Sequence, residues 1–543
     1  CYYMNTSYTG GNGWTQSILC QTYNQGSLKL KKSSSNPSIS ANNKLYSLAG
    51  AVYGVYTDSG CSNQVTTFTT DANGNSNTVN LDAGTYFVKE KTAPKGFVLN
   101  KEVKKVTVVS SQTVTVNVSD TPINDPAAIT ISKIDAETGE KVQGAASLAG
   151  AQFTLKYYDG LYTKTNLPKK ATRTWVIETQ EKVTSSGEIK YYTRLHEDYK
   201  VSGDALYYQN GMPTIPRGTL TIEETKAPEG YNNNLVLEDG NGKTEDSLYL
   251  VQIQKAGDVV SLTGGNTFKG QDTVVRGDFS FTKVNGKTNE VMANIPFRIY
   301  CKETGQEVIV RTDENGYFSS QSSYAKHSYK TNSGEVGAGI WFGDTDHIDD
   351  NVGALPYGSY YIEELECNEN IGLKMFTGEF VINENETVFD FGKVVNNSIT
   401  IDTKVYTNGY NSTGFTGVGL ITDTVKISGM SEGYVELTLM DKETGETLTD
   451  ETGDIIKGGT VVTKSSEAGI DGEASPSLTL SEKTLADLRG KSIVCCVKLY
   501  KRNADGTPDY SRIYAVHNAI EDADETLPFA KVVKELTEKE TGH

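Results

Sequence analysis

The sequence predicts an all-β fold divided into tandem domains, on three observations. Apolar residues are 36% of the chain, and they fall in alternating runs such as SLKLKK and AITISK, the pattern of half-buried strands. Helical periodicity is confined to two short stretches, near 481–489 and 531–540. One short pattern recurs three times: GTYFVKEKTAPKGF at 84–97, GTLTIEETKAPEGY at 218–231 and GSYYIEE at 358–364. A chain of 543 residues has room for roughly three to five domains, and a repeat at this spacing marks their boundaries.

Residues 1–25 are polar, rich in Gly, Asn and Thr, and read as the tail of a preceding domain. Repeat one, 26–126, opens on SLKLKK to Lys32, continues as SLAGAVYGVY (47–56) and turns at TDANGN (70–75), where Asn-Gly is a strong hairpin signal. It carries Glu90 in the recurring pattern and closes at Asp120; PINDP (122–126) reads as a short stiff link. Repeat two, 127–274, opens on AITISK to Lys133 and continues as SLAGAQFTLKY (147–157). A polar, Tyr-rich insertion at 158–212 is expected to form a long hairpin, Glu224 follows, and the repeat closes at Asn266, with 269–277 as the next link. Repeat three, 275–397, opens on DFSFTK to Lys283, runs through ANIPFRIY (293–300) and TDENGY (312–317) to Glu364, and closes at Asn396 or, in the other strand phase, Asn397. The small residues of SLAGA are expected where a strand meets its neighbour closely. Residues 398–530 are β-rich but lack the recurring pattern, and 531–543 form a C-terminal tail. Links this short predict a stiff, elongated rod.

The net charge of −18 disfavours nucleic acid and anionic membrane as partners, since phosphate binding needs a basic face. No run reaches transmembrane length, so no membrane insertion is expected in this stretch. Seven cysteines do not make a disulfide scaffold; Cys301 and Cys367 share a repeat and could pair, against free thiols as the plainer expectation. No leader or LPxTG-like sorting signal is visible, and the chain reads as a trimmed piece of a longer protein. Arg276-Gly277-Asp278 spells an integrin tripeptide at a strand start, where chance is the better explanation. The acidic run Asp344, Asp346, Asp349, Asp350 lacks a calcium-loop pattern and reads as a solvated loop. No metal and no cofactor are expected.

A lysine, a glutamate and an Asp or Asn, three times in the same order, are the equipment for a self-made amide crosslink. Burial disfavours the charged amine and frees its lone pair, and a buried glutamic acid can polarise the acceptor and shuttle protons. Fixed neighbours then react at high effective concentration. With these residues, and with the box E-x-x-A-P-x-G-[YF] at Glu90–Phe97 and Glu224–Tyr231, residues 26–397 resemble the B-type domains of collagen-adhesin stalks, also called SpaA-like pilin domains, of Gram-positive surface proteins. Repeat three keeps Glu364 but continues LECNENIG. The resemblance implies immunoglobulin-like β-sandwiches, the crosslinks Lys32–Asp120, Lys133–Asn266 and Lys283–Asn396, and Glu90, Glu224 and Glu364 as the catalytic acids.

ITDTVKISGMSEG, LMDKETGE and the spacing from His517 through Asp522 to Thr526 make 398–530 similar to the VaFE-type repeat, whose family forms a Thr–Gln ester. That resemblance implies Thr403 as nucleophile, with His517 and Asp522 assisting. The acceptor position holds Glu525 and the glutamate position holds Val497, so the site is degenerate and no ester is expected. The whole reads as a monomeric stalk of a secreted, wall-attached surface protein, not an enzyme, presenting a tip that meets a host matrix protein or glycan. The alternatives are a ligand-binding adhesin using 158–212 or the N-terminal stretch, and a polymerising pilus backbone, for which Pro168-Lys169 is a faint candidate.

Overall fold

The computed structural model describes residues 24–126, 129–238, 244–258, 268–407, 410–411, 414–415 and 419–529. Within them the chain is nearly all strand and forms four β-sandwiches, in two compact units that divide between Val274 and Val275. Residues 1–23, the tail from 530 and the closing position at Asn266 lie outside the described residues.

In the first unit, domain one packs a three-stranded sheet (Val79–Asp82, Gln25–Ser34, Thr113–Asp120) on a four-stranded one (Gln64–Thr69, Val52–Tyr56, Gly84–Thr92, Val103–Val108). Every second residue of its opening strand, Leu28, Leu30 and Lys32, points into the core, the period a pleated strand imposes. Domain two repeats the plan, with Thr130–Asp135 as opening and Phe268–Asp272 as closing strand. Its insertion is not one long hairpin. Arg173–Glu178 extends one sheet beside Gln152–Tyr158, and Ile189–Arg194 extends the other beside Thr130–Asp135. The reason is burial: Trp175 and Ile177 alternate into the core and hold the insertion against both sheets. PINDP is not a free link either, since Asn124–Asp125 pairs with Ile215–Pro216. Ile39, Tyr46 and Phe97 of domain one join the apolar core of domain two, and Tyr46 Oη accepts from Arg217 N at 2.8 Å.

In the second unit, domain three has Arg276–Asn285 as opening and Val388–Asn396 as closing strand, facing the sheet built on Pro296–Cys301 and Gly358–Glu364. The link from domain two is therefore Thr273–Val275, shorter than the expected 269–277, because 268–272 is still strand. Domain four packs Thr400–Thr407 and Gly419–Ser428 against a sheet centred on Tyr434–Asp441 and Ser492–Arg502. A short helix at Glu482–Asp487, capped by Ser481, lies where helical periodicity was read. Glu366 ties domains three and four, meeting Lys501 Nζ at 2.8 Å, Arg512 at 2.7 Å and Tyr514 Oη at 2.6 Å.

The SLAGA glycines work differently from the expectation. Gly50 and Gly150 have φ of +84° and +85° with open space where a Cβ would stand, so they are needed for the left-handed turn and not for a close approach. Domain three uses Asn294 (φ 59°) at the same place. The next backbone N–H, of Ala51, Ala151 and Ile295, donates to a buried threonine, Thr70, Thr179 and Thr312, whose hydroxyl in turn donates to Leu48, Leu148 and Met292.

Candidate crosslinking sites

Lys32, Lys133 and Lys283 are all but fully buried, at 1%, 1% and 0% exposure. A buried ammonium is costly without a partner, so what faces each one decides the chemistry. In all three domains the opening and closing strands run parallel and side by side. Ser34 pairs with Asp120, Asp135 with Asp272, and Asn285 with Asn396. The partner of the residue two beyond the lysine therefore faces the lysine on the same side of the sheet, three times over.

In domain one, Lys32 Nζ lies 2.8 Å from Glu90 Oε1 and in direct contact with Asp120 Oδ2. It also donates to Tyr53 Oη at 2.6 Å, and Glu90 Oε2 accepts from Asn100 N at 2.7 Å. Burial pushes the Asp120 carboxyl up to about 6; hydrogen bonding to Lys32 and its charge oppose the rise, and Glu90 adds to it.

In domain two the residue against Lys133 is Asp272, at 2.6 Å, with Glu224 at 2.8 Å. Asp272 thus faces Lys133 where the sequence implied Asn266, a residue outside the described ones. The physical reason is Gly270, which pairs with Lys133 and interrupts the apolar alternation that would have marked TFKGQD as a strand. Burial pushes Glu224 up to about 7, against the pull of the Lys133 charge and with Asp272 adding to the rise; burial also raises Asp272.

Domain three has an amide acceptor. Asn396 Nδ2 donates to both oxygens of Glu364, at 2.7 and 2.8 Å. Glu364 accepts further from Asn370 Nδ2 at 2.9 Å and Phe376 N at 3.1 Å. Lys283 Nζ lies 3.6 Å from Glu364 and donates to Val394 O at 3.2 Å. Burial depresses its pKa to about 8, with Glu364 opposing, which makes the neutral amine more accessible than in an exposed lysine. Asn396 faces the site; Asn397 instead accepts through its carbonyl from Lys374 N.

Each set holds a buried amine, a buried Asp or Asn acyl group on the adjoining parallel strand, and a glutamate touching the amine or the acceptor's amide. Were an amide to form, the leaving group would be water in domains one and two and ammonia from Nδ2 in domain three, an atom that Glu364 contacts. The box aromatic anchors the chain beyond the closing strand. Phe97 pairs with Pro122 and Tyr231 with Val274, and Tyr231 Oη donates to Asp135 at 3.0 Å. Asn370 and Tyr53 were not singled out from the sequence. Asn370 hides in the very LECNENIG that breaks the box, and Tyr53 stands in SLAGAVY where SLAGAQF has phenylalanine.

In domain four, Thr403 and Asp423 come from neighbouring strands of one sheet, and Glu525 adjoins the facing one, its carbonyl accepting from Cys495 N. All three are buried, and among the described residues Thr403 Oγ1, Asp423 Oδ2 and both Glu525 oxygens have no hydrogen-bond partner. Burial raises Glu525 to about 8, with Thr403 opposing and Asp423 adding, and burial raises Asp423 to about 6. His517 Nε2 is 3.0 Å from Asp522 Oδ2 in a half-exposed pair. Asp423, in the ITDT string, is the member that residue-by-residue reading passed over.

The remaining motifs resolve simply. Arg276 is 1% exposed, stacks 3.7 Å over the Trp341 ring and donates to three backbone carbonyls, so the integrin-like tripeptide is not presented. Cys301 and Cys367 are free thiols. In the acidic run, Asp344 caps a 3-10 turn and Asp350 accepts from Ser328, and no metal-ligand cluster is found among the described residues. No helix among them is long and apolar enough to cross a membrane.

Residues 26–122 match the SpaA prealbumin-like fold domain. No curated protein matches the chain. Among solved structures, the TIE protein of Bacillus anthracis is similar at 22% identity over 69% of this chain, with a TM-score of 0.40; the chain spans 51% of that protein. The major pilin subunit BcpA of Bacillus cereus matches at 15% identity, covering 69% of this chain and 99% of its own, with a TM-score of 0.25. A streptococcal ancillary pilin matches at 16%, over 69% and 99%, with a TM-score of 0.20. Domain one thus matches the SpaA prealbumin-like fold domain, and domains two and three repeat its strand plan.

Proposed function

We propose that this chain is a stalk segment of a Gram-positive cell-surface adhesin or pilus-like protein, outside the cell, whose first three domains close their own amide crosslinks. The bonds are Lys32–Asp120, Lys133–Asp272 and Lys283–Asn396, with Glu90, Glu224 and Glu364 as the acids. The observation that carries this reading is the triple recurrence of a buried lysine, a buried glutamate and a buried Asp or Asn at one strand register. Ordinary ion pairs have no reason to be buried this completely, because breaking water contact with two charges is rarely repaid. Each bond would join the first strand of a sandwich to its last, so that tension on the domain ends is borne by a covalent link. A tip or neighbouring domain would meet the host matrix protein or glycan.

The test is the intact mass of the purified chain under denaturing, reducing conditions. The expected deficit is two waters and one ammonia, with peptide mapping to the three pairs. A full mass overturns the crosslinking mechanism. A third missing water, mapped to Thr403 and Glu525, would mean that domain four also closes a bond, against the expectation that it stays open.

A further inference from the structure

Near its candidate crosslink, domain one carries a hydroxyl that the corresponding rings of domains two and three lack. The residue paired with each acid on the neighbouring strand is aromatic: Tyr53 with Glu90, Phe153 with Glu224 and Phe297 with Glu364. The rings play a common packing role, with Lys32 Nζ 4.9 Å from the Tyr53 centroid and Lys133 Nζ 5.8 Å from that of Phe153. Of the three, only Tyr53 carries a hydroxyl. It accepts from Lys32 Nζ at 2.6 Å and donates to Asp120 Oδ1 at 3.4 Å. The phenol therefore bridges the nitrogen that must lose a proton and the oxygen that must gain one. Burial, with Asp120 and Glu90 beside it, drives the phenol pKa far above its ordinary value, so Tyr53 keeps its proton and can act only by accepting one as it gives one.

We propose that Tyr53 is a catalytic residue of domain one, relaying a proton from Lys32 Nζ to Asp120 Oδ1 as the amide forms. The proposal rests on the crosslinking reading above. Lys32 first passes a proton to the Tyr53 oxygen as Tyr53 gives its own to Asp120, leaving a neutral amine beside a carboxylic acid protonated on Oδ1. The Nζ lone pair attacks Cγ, and the carbonyl electrons move to Oδ2. As the adduct collapses, Nζ gives a proton to the Tyr53 oxygen and Tyr53 gives its own to Oδ1. The Cγ–Oδ1 bond breaks, Oδ1 leaves as water with two protons, and Cγ–Oδ2 reforms as the amide carbonyl. No oxidant, reductant or co-reactant is needed, and Tyr53 ends as it began. Domain two, with Phe153 in this place, has Glu224 for the same transfers, so it should close more slowly than domain one.

The experiment uses the full chain made by pulsed cell-free synthesis, sampled over time, with the domain-one and domain-two linked peptides quantified by mass spectrometry in the same molecules. Tyr53→Phe installs the ring that domain two already has. It is expected to slow the Lys32–Asp120 bond about a hundredfold or more, the lower end for loss of an acid–base group, with Lys133–Asp272 unchanged as internal control. Equal rates for Lys32–Asp120 in both chains overturn the relay while leaving the crosslinks in place. No bond at Lys32 in the unsubstituted chain overturns the crosslinking reading and the relay with it. If Tyr53→Phe loses the protease-resistant domain-one fragment, Phe153→Tyr decides: faster closure at Lys133 supports the relay, and an unchanged rate overturns it.

Discussion

The sequence implies Asn266 as the acceptor for Lys133, the fold sets Asp272 against it, and the two give different masses. Asp272→Ala is expected to abolish the domain-two crosslink and return one water to the intact mass, whereas Asn266→Ala leaves the mass deficit intact; peptide mapping around Lys133 checks both. Glu224→Ala should likewise leave Lys133 unlinked without touching Lys32 or Lys283. At the fourth site the relevant quantity is a proton. Glu525 and Asp423 have folded-state pKa values raised from 4.5 to about 8 and from 3.8 to about 6 by burial. The folded domain thus binds more protons than the unfolded chain over that interval, and its stability falls as pH rises from about 4.5 to 8. A melting temperature that drops for domain four across this range is expected. Asp423→Asn should flatten the slope, because one of the two facing carboxyls is then gone.

At the scale of the element, the parallel pair of opening and closing strands is what converts a sequence into a reaction site. The two-residue offset between lysine and acceptor follows from the pleat, and a slip of one residue would turn the acceptor to solvent. The turn that feeds the second strand of each domain is held by Thr70, Thr179 and Thr312, which both accept and donate. Thr312→Val keeps the shape but leaves Ile295 N and Met292 O unpaired in a buried place. The expected cost is about 1–3 kcal/mol, read as a lower urea midpoint for domain three.

At the scale of the molecule, the proposed crosslinks would change what a pulling force can do. With Lys32 joined to Asp120, all of the chain between them is shielded, on the order of 300 Å of extended backbone at the usual reach per residue. Force spectroscopy on the full chain is expected to show no release of that length from domains one to three. Lys32→Ala should restore it for domain one alone. Within each compact unit the domains share more than a link: Tyr46 and Phe97 enter the core of domain two, and Glu366 gathers Lys501, Arg512 and Tyr514 from domain four. Each pair is thereby joined through packed side chains as well as through backbone.

Alternation and the threefold recurrence of GTY-like strands were enough to establish an all-β tandem chain, because strand period and repeat length are local properties. The lysines and glutamates were legible for the same reason, each lying in a strand whose neighbours declare its inward face. Asp272 was not, because Gly270 removes the side chain that would have shown the phase, and only pairing with Thr130–Asp135 restores it. The insertion at 158–212 looked polar in sequence, yet Trp175 and Ile177 carry it into both sheets. Tyr53 and Asp423 are ordinary residues in ordinary strands until the sheets close. What the chain alone determined was the period and the chemistry of single positions; which of those positions meet was decided by register and by sheet-on-sheet packing, contacts that no local pattern encodes.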